Sequence, residues 1–277
     1  MERKVIQEVR GMPAVDGAGV QLVRVLGRST VKDFDPFLML DSFDSTDPED
    51  YIAGFPMHPH RGIETISFLS LGGMTHRDSL GFKDSVSSGE VQWMTAGSGI
   101  MHEERMPASE RMLGLQMWLN MPKKDKMAKP HYHAIKKEDI KEIPLENGKL
   151  RLLAGSYKGH EGYNGNYLPL IYYDIHLNKG ASLRLDVPRD YTAFVFTLLG
   201  DAEVAGSRIN EKTAALTSLG DTLAIAAPYG NIEIMFAASK KLNESVAWGG
   251  PIVMNTDQEL RQAFSELQNG TFLDSSK

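Results

Sequence analysis

Two short clusters between Gly54 and Met106 carry side chains able to hold a metal ion. GFPMHPHRGIE, from Gly54, contributes His58 and His60; TAGSGIMHEERM, from Thr95, contributes His102 and Glu104. In an extended strand, residues two apart share a face. His58 and His60 therefore point one way, as do His102 and Glu104, while Pro59 and Glu103 point the other. Two such strands side by side bring three imidazoles and one carboxylate to a single point inside a β-barrel. A neutral imidazole offers one lone pair to a metal, and its second nitrogen donates outward and fixes the ring. Three histidines and a carboxylate around a divalent ion leave two octahedral positions open. A substrate or dioxygen needs such positions, which a closed structural site lacks.

A single histidine in a strand is usually a packing residue, and HxH alone is a weak motif. The metal reading rests on two clusters, both spaced i,i+2 and both bordered by glycine. Glu64 shares parity with His60, so it either replaces Glu104 as the carboxylate or stands behind the ligands. His76 follows a tight turn on a neighbouring strand, with an outer-shell or a surface role. Gln116, in GLQMWLN, either lines the cavity or packs against the barrel wall. Met57 and Met101 would make an apolar pocket for a flat ligand. His131 and His133 repeat the HxH spacing inside a lysine-rich stretch without a partner cluster, which predicts surface exposure.

These side chains need β-strands to position them, and most of the chain reads that way. Short β-branched and aromatic runs lie between Gly, Pro, Asn and Asp turns. They are Val20–Leu26, Pro36–Leu40, Glu64–Leu71, Gly89–Thr95, Leu113–Asn120, Leu150–Leu153, Leu168–Leu177, Tyr191–Leu199, Asp221–Ala226 and Ile232–Phe236. Their spacing is that of a barrel or sandwich. One segment is helical: Leu260, Ala263, Phe264 and Leu267 share a face, Thr256 and Glu259 form a capping box, and Gly270 is a stop. FLSLGGMTH, from Phe68, resembles FTLLGDAEV, from Phe196; SVSSGEVQWMTAG is echoed by LTSLGDTLAIAAP, with Gly89-Glu90 matching Gly220-Asp221. Two tandem barrels from one ancestor is the simple reading, although β-meanders share turn chemistry in any case. Carried along these offsets, His58 and His60 fall opposite Asp186 and Pro188, and His102 and Glu104 opposite Glu233 and Met235. One metal per chain, in the N-terminal barrel, is the expectation. The polar stretch from Pro122 to Pro144 reads as the crossing between domains, with 1–135 the metal-binding barrel and 136–277 a barrel without ligands, ending in a helix near 257–269. The six lysines from Lys123 to Lys137 form either a solvated surface or a docking patch.

The 277 residues suffice for one large or two ordinary domains, and the composition, 42% hydrophobic and 24% charged, is that of a globular protein. The absence of cysteine excludes disulfides and thiolate sites, so a bound metal takes nitrogen and oxygen donors: iron, manganese, nickel, copper or zinc. A net charge of -6 argues against a general nucleic-acid binder. The opening MERKVIQEVRG has no apolar run behind its charges, which predicts no secretory signal, and no stretch reaches the roughly 20 apolar residues of a membrane span. The cytoplasm is the expected location.

At FPMHPHRGIETISFL, GEVQWMTAGSGIMHEE and GLQMWLN the sequence resembles the pirin family of the cupin superfamily, and the resemblance covers nearly the whole chain. It implies two tandem cupin (jelly-roll) barrels, the second without metal ligands, and His58, His60, His102 and Glu104 as the ligands of the first. Departures are small: Ser88 replaces the usual proline before Gly89, and Glu103 adds an acidic residue between two ligands. The resemblance also implies iron(II) and, for several bacterial members, quercetin 2,3-dioxygenase activity on a small aromatic substrate with dioxygen. Glu104 would then be the proton acceptor. Other members are redox-responsive partners of transcription regulators, the alternative to an enzyme.

Overall fold

The structure is a computed structural model that describes residues 1–273. It divides into two compact units, neither of them a contiguous half of the chain. The first unit comprises Pro13–Arg28, Phe37–Lys136 and Leu242–Lys277; the second comprises Met1–Met12, Ser29–Pro36 and Lys137–Lys241. The expected single crossing near residue 135 is thus corrected at both termini. Strand Val5–Arg10 pairs antiparallel with Thr213–Thr217 in the second unit, with Val9 opposite Ala214. The C-terminal hairpin and helix bury Ile252, Met254, Ala263 and Phe272 together in the first. Local composition does not signal which sheet edge a terminal strand will join.

In the first unit a seven-stranded antiparallel sheet runs in the order 131–135, 91–95, 63–71, 112–120, 37–45, 20–26, 12–16. A four-stranded sheet runs 55–60, 100–105, 73–78, 83–87. Inward side chains of both sheets close one core, including Phe43, Leu69 and Met112 from the larger and Phe55, Met74 and Val86 from the smaller. The second unit repeats this order strand for strand: 5–10, 213–217, 191–199, 232–240, 170–177, 148–154, 141–145, with 182–186, 222–226, 202–204, 207–209 as its four-stranded sheet. Each unit is a double-sheet jelly roll, and the all-β expectation is borne out. Strand 131–135 lies in a sheet of the first unit, so the lysine-rich stretch is not a plain crossing. Lys126 within it is buried, its Nζ donating to the carbonyls of Gly62 and Val253 and to Asn120 Oδ1.

This strand-by-strand match corrects the second of the two sequence offsets. Strands 182–186 and 222–226 hold the sheet positions of 55–60 and 100–105, and they pair Leu183 with Ile225 and Leu185 with Leu223. Aliphatic side chains in the second core thus stand where the first unit has imidazoles. The first offset reaches the equivalent strands; the second was wrong because it matched 91–95 to 222–226, whereas 213–217 holds the sheet position of 91–95.

The helix, Asp257–Gln268, forms as expected: Thr256 Oγ1 accepts from Glu259 N, the Glu259 carboxylate accepts from Thr256 N, and Gly270 takes a positive φ of 72° beyond its end. Such a cap is worth about 1 kcal/mol. Ala263 is buried and Leu260 and Leu267 pack beside it, whereas Phe264 is 37% exposed.

Candidate metal centre

Strands Phe55–His60 and Ile100–Arg105 run antiparallel with His102 opposite His58 and Ile100 opposite His60. That register brings His58, His60 and His102 together, each offering a ring nitrogen within 4.8 Å of the other two. The protonation of each ring follows from its outer partner. His58 Nδ1 donates to Pro56 O at 2.8 Å and His60 Nδ1 donates to Pro251 O at 2.9 Å. A carbonyl can only accept, so both Nδ1 atoms carry a proton, and in the neutral rings both Nε2 atoms present lone pairs. These two Nε2 atoms lie 3.0 Å apart, and two facing lone pairs repel unless a cation or a proton lies between them. Nε2 of the fully buried His102 has no protein partner. The donor set therefore fits a divalent metal held by three Nε2 atoms. Burial, followed by the charge of His58, pulls the His60 pKa down to about 3; burial, followed by His60, His58 and His76, holds His102 well below its usual value. Both rings are neutral near pH 7, as a ligand must be.

Glu104 faces the same interior but not the same point. The register slips between His102 and Glu104, placing Glu104 opposite Phe55, and the carboxylate accepts from Gln92 Nε2 and, at 2.9 Å, from Gln116 Nε2. Among the described residues the converging ring nitrogens are those of the three histidines, with Glu104 beside them in an amide cradle. Glu64 lies elsewhere, accepting from Trp93 Nε1 at 3.0 Å and Thr95 Oγ1 at 2.7 Å, its pKa raised by burial. Gln116 does line the cavity. Met57 and Met101 do not: strand alternation turns them away from His58 and His102, leaving Met57 41% exposed, and the apolar lining comes from Met39, Phe55, Trp118 and Trp248. Glu103 turns outward and pairs with Arg77 at 2.9 Å. His131 is exposed, as expected, whereas His133 is half-buried.

The cavity above His58 and His60 measures about 630 Å³. The Trp118 ring stands edge-on to His60, 5.0 Å between centroids, and Trp248 is 5.8 Å from Trp118. Arg24 spans Asp41 and Asp16 on the same wall, its pKa raised by the hydrogen bond to Asp41. Sequence reasoning missed Gln92, Trp118, Trp248 and the Pro251 carbonyl. Gln92 and Trp118 were accessible by parity, Trp118 lying two residues from Gln116; Trp248 and Pro251 had no local signal. A second convergence, of Asp174, His176 and Glu233, lies in the seven-stranded sheet of the second unit. Arg151 Nη1 donates to Asp174 Oδ2 at 3.1 Å, and although burial opposes charging His176, the hydrogen bond and charge of Asp174 raise its pKa overall. Arg151 and His176 thus both engage the Asp174 carboxylate, with Glu233 opposite His176 on the neighbouring strand.

Two jelly rolls on one chain, the first with a three-histidine pocket, define a bicupin. A pirin family model matches residues 19–119, and the pirin C-terminal cupin domain matches residues 172–273. A pirin-like protein of Caulobacter vibrioides is 36% identical over 98% of this chain and 99% of its own length; pirin of Homo sapiens is 34% identical over 96% and 93%. The crystal structure of quercetin 2,3-dioxygenase from Acinetobacter baumannii, 31% identical, superposes with a TM-score of 0.91 over 98% of this chain and 99% of that one. The chain belongs to the pirin family. No helix among the described residues is long and apolar enough to cross a membrane.

Proposed function

We propose that this protein is a mononuclear iron(II) dioxygenase acting on a flavonol or enediol-like aromatic, with His58, His60 and His102 as the nitrogen ligands and Glu104 completing the metal-binding set by turning from its amide cradle toward them. The observation that carries this reading is the convergence of three ring nitrogens within 4.8 Å of one another, with His58 and His60 held by carbonyls on their outer nitrogens and His102 Nε2 without a protein partner, beside an open cavity. When bound, the metal supplies Lewis acidity toward a hydroxyl oxygen and an electron source for dioxygen. The protein's own residues do the rest. Trp118, Trp248 and Met39 present an apolar wall to a flat ring. The barrel wall excludes water from His102 and Glu104, which are both buried. Glu104 takes the hydroxyl proton, and Gln92 and Gln116 keep its carboxylate aimed while it does so. The resemblance to a quercetin 2,3-dioxygenase supports a substrate of this class, whose heterocycle opens with loss of carbon monoxide.

The test is metal analysis of anaerobically purified protein, followed by oxygen uptake and carbon monoxide release with quercetin. About one iron per chain and turnover are expected. Stoichiometric metal without turnover across a flavonoid and enediol panel would favour the redox-responsive partner of a transcription regulator. His102→Ala should lower metal affinity by more than about 100-fold, beyond the 10–100-fold of an outer-shell change, and His131→Ala should leave it unchanged. Equal loss in both variants would mean that these are the wrong histidines.

A further inference from the structure

His58 and His60 are fixed by backbone carbonyls, but His102 has no carbonyl on its Nδ1. Its partner is another imidazole, His76, on the neighbouring strand Gly73–Asp78, with Nδ1 facing Nδ1 at 3.4 Å. Two identical atoms cannot both donate or both accept, so the direction of this contact has to be set from outside. His76 and Asp78 point to the same side of their strand, and His76 Nε2 lies 2.8 Å from Asp78 Oδ2. Both side chains are fully buried. The His76 ring stacks on Tyr132, with 4.2 Å between centroids and 20° between planes, which holds it in line. Asp78 is itself fixed: its Oδ1 accepts from Leu80 N at 2.9 Å and Phe82 N at 3.1 Å, leaving Oδ2 for His76.

We propose that Asp78 and His76 form a positioning relay that sets the tautomer of His102 and so makes it a metal ligand. The inference rests on the metal reading of the three histidines. A carboxylate only accepts, so the neutral His76 ring carries its proton on Nε2 and offers Nδ1 as acceptor. His102 then donates from Nδ1, and its Nε2 is left as a lone pair toward His58 and His60. Each link forces the next. Reversing the first link reverses them all. With an amide NH₂ at the place of Oδ2, His76 accepts at Nε2, donates from Nδ1, and obliges His102 to carry its proton on Nε2, where it blocks a metal. Neither His76 nor Asp78 reaches the cavity, so both act through His102.

The test compares the full-length metal-free protein with Asp78→Asn, His76→Phe and His76→Asn. Asp78→Asn keeps Oδ1 for the Leu80 and Phe82 amides, His76→Phe keeps the stack on Tyr132 without an acceptor, and His76→Asn returns an acceptor near the Nδ1 position. Nitrogen-15 shifts of the imidazoles report the tautomers directly, and Co(II) titration followed by its visible spectrum reports the metal site. Expected are an unprotonated His102 Nε2 in the wild type, a protonated one in Asp78→Asn, and Co(II) binding weakened about 10–100-fold in Asp78→Asn and His76→Phe, with His76→Asn recovering most of the loss. A doubly protonated His76 in the wild type, or an unprotonated His102 Nε2 and wild-type Co(II) affinity in Asp78→Asn, overturns the relay. If the wild-type protein takes no Co(II) while its tautomers follow the expected pattern, the metal reading and the ligand role of His102 fail, and only the tautomer setting by Asp78 and His76 stands.

Discussion

Burying imidazoles without charge ties this protein's stability to pH. In the folded state His60 gains a proton only near pH 3, and His102 also titrates well below its ordinary value, whereas in an unfolded chain both do so near 6.5. Between these limits the unfolded chain binds more protons, so stability falls as pH falls. The loss begins below about pH 6.5 and ends for His60 near pH 3. Each buried imidazole contributes at most about 1.4 kcal/mol per pH unit in that window. Denaturant unfolding of metal-free protein from pH 7 to 4, compared with His60→Leu, should show the variant losing stability less steeply. Parallel profiles would mean that His60 is protonated in the fold. At this scale much was legible: the i,i+2 spacing was enough to group His58, His60 and His102. What spacing could not convey is where each outer nitrogen goes, because Pro251 and His76 meet the rings only through tertiary contact.

Strand positions were readable from alternation, and Val20–Leu26 and Tyr191–Leu199 form where the pattern put them. The bulge between His102 and Glu104 was not, because a periodic reading assumes unbroken register. It explains why Phe55, three residues before His58, also faces the interior. The turns that end the ligand strands are just as constrained. Gly62 has a φ of 78° and a Cβ there would lie 2.0 Å from Val253 O; Gly81 has a φ of 89° but open space around it. Gly62→Ala combines backbone strain with a clash against main chain, costing upward of about 2 kcal/mol, or roughly 4–8 °C in thermal midpoint. Gly81→Ala should cost about half as much or less. Equal shifts in the two variants would show that the Val253 carbonyl yields freely.

For the molecule as a whole, the sequence conveyed two like barrels but not that the terminal segments would exchange units. Arg61, next to His60, is buried, and its guanidinium donates to Glu266 at 2.7 Å and to Phe272 O at 3.0 Å, while its Nε donates to Ser98 O. A chain ending at residue 241 keeps all four proposed ligands yet strips Arg61 of those distal partners and His60 of the Pro251 carbonyl. Removing one partner of a buried ion pair costs about 3–5 kcal/mol, so the truncated protein should melt about 10 °C lower or more and lose metal retention. A truncated protein that held metal as tightly as the full chain would show that the first unit needs no C-terminal segment. The carbonyl that orients His60 lies 191 residues beyond it in sequence. On the ribosome, HPHRG leaves the exit tunnel long before Pro251 is polymerised, so the His60 ring stays without its orienting carbonyl throughout that interval. Completion of the His60 pocket is thereby deferred until Pro251 has been made.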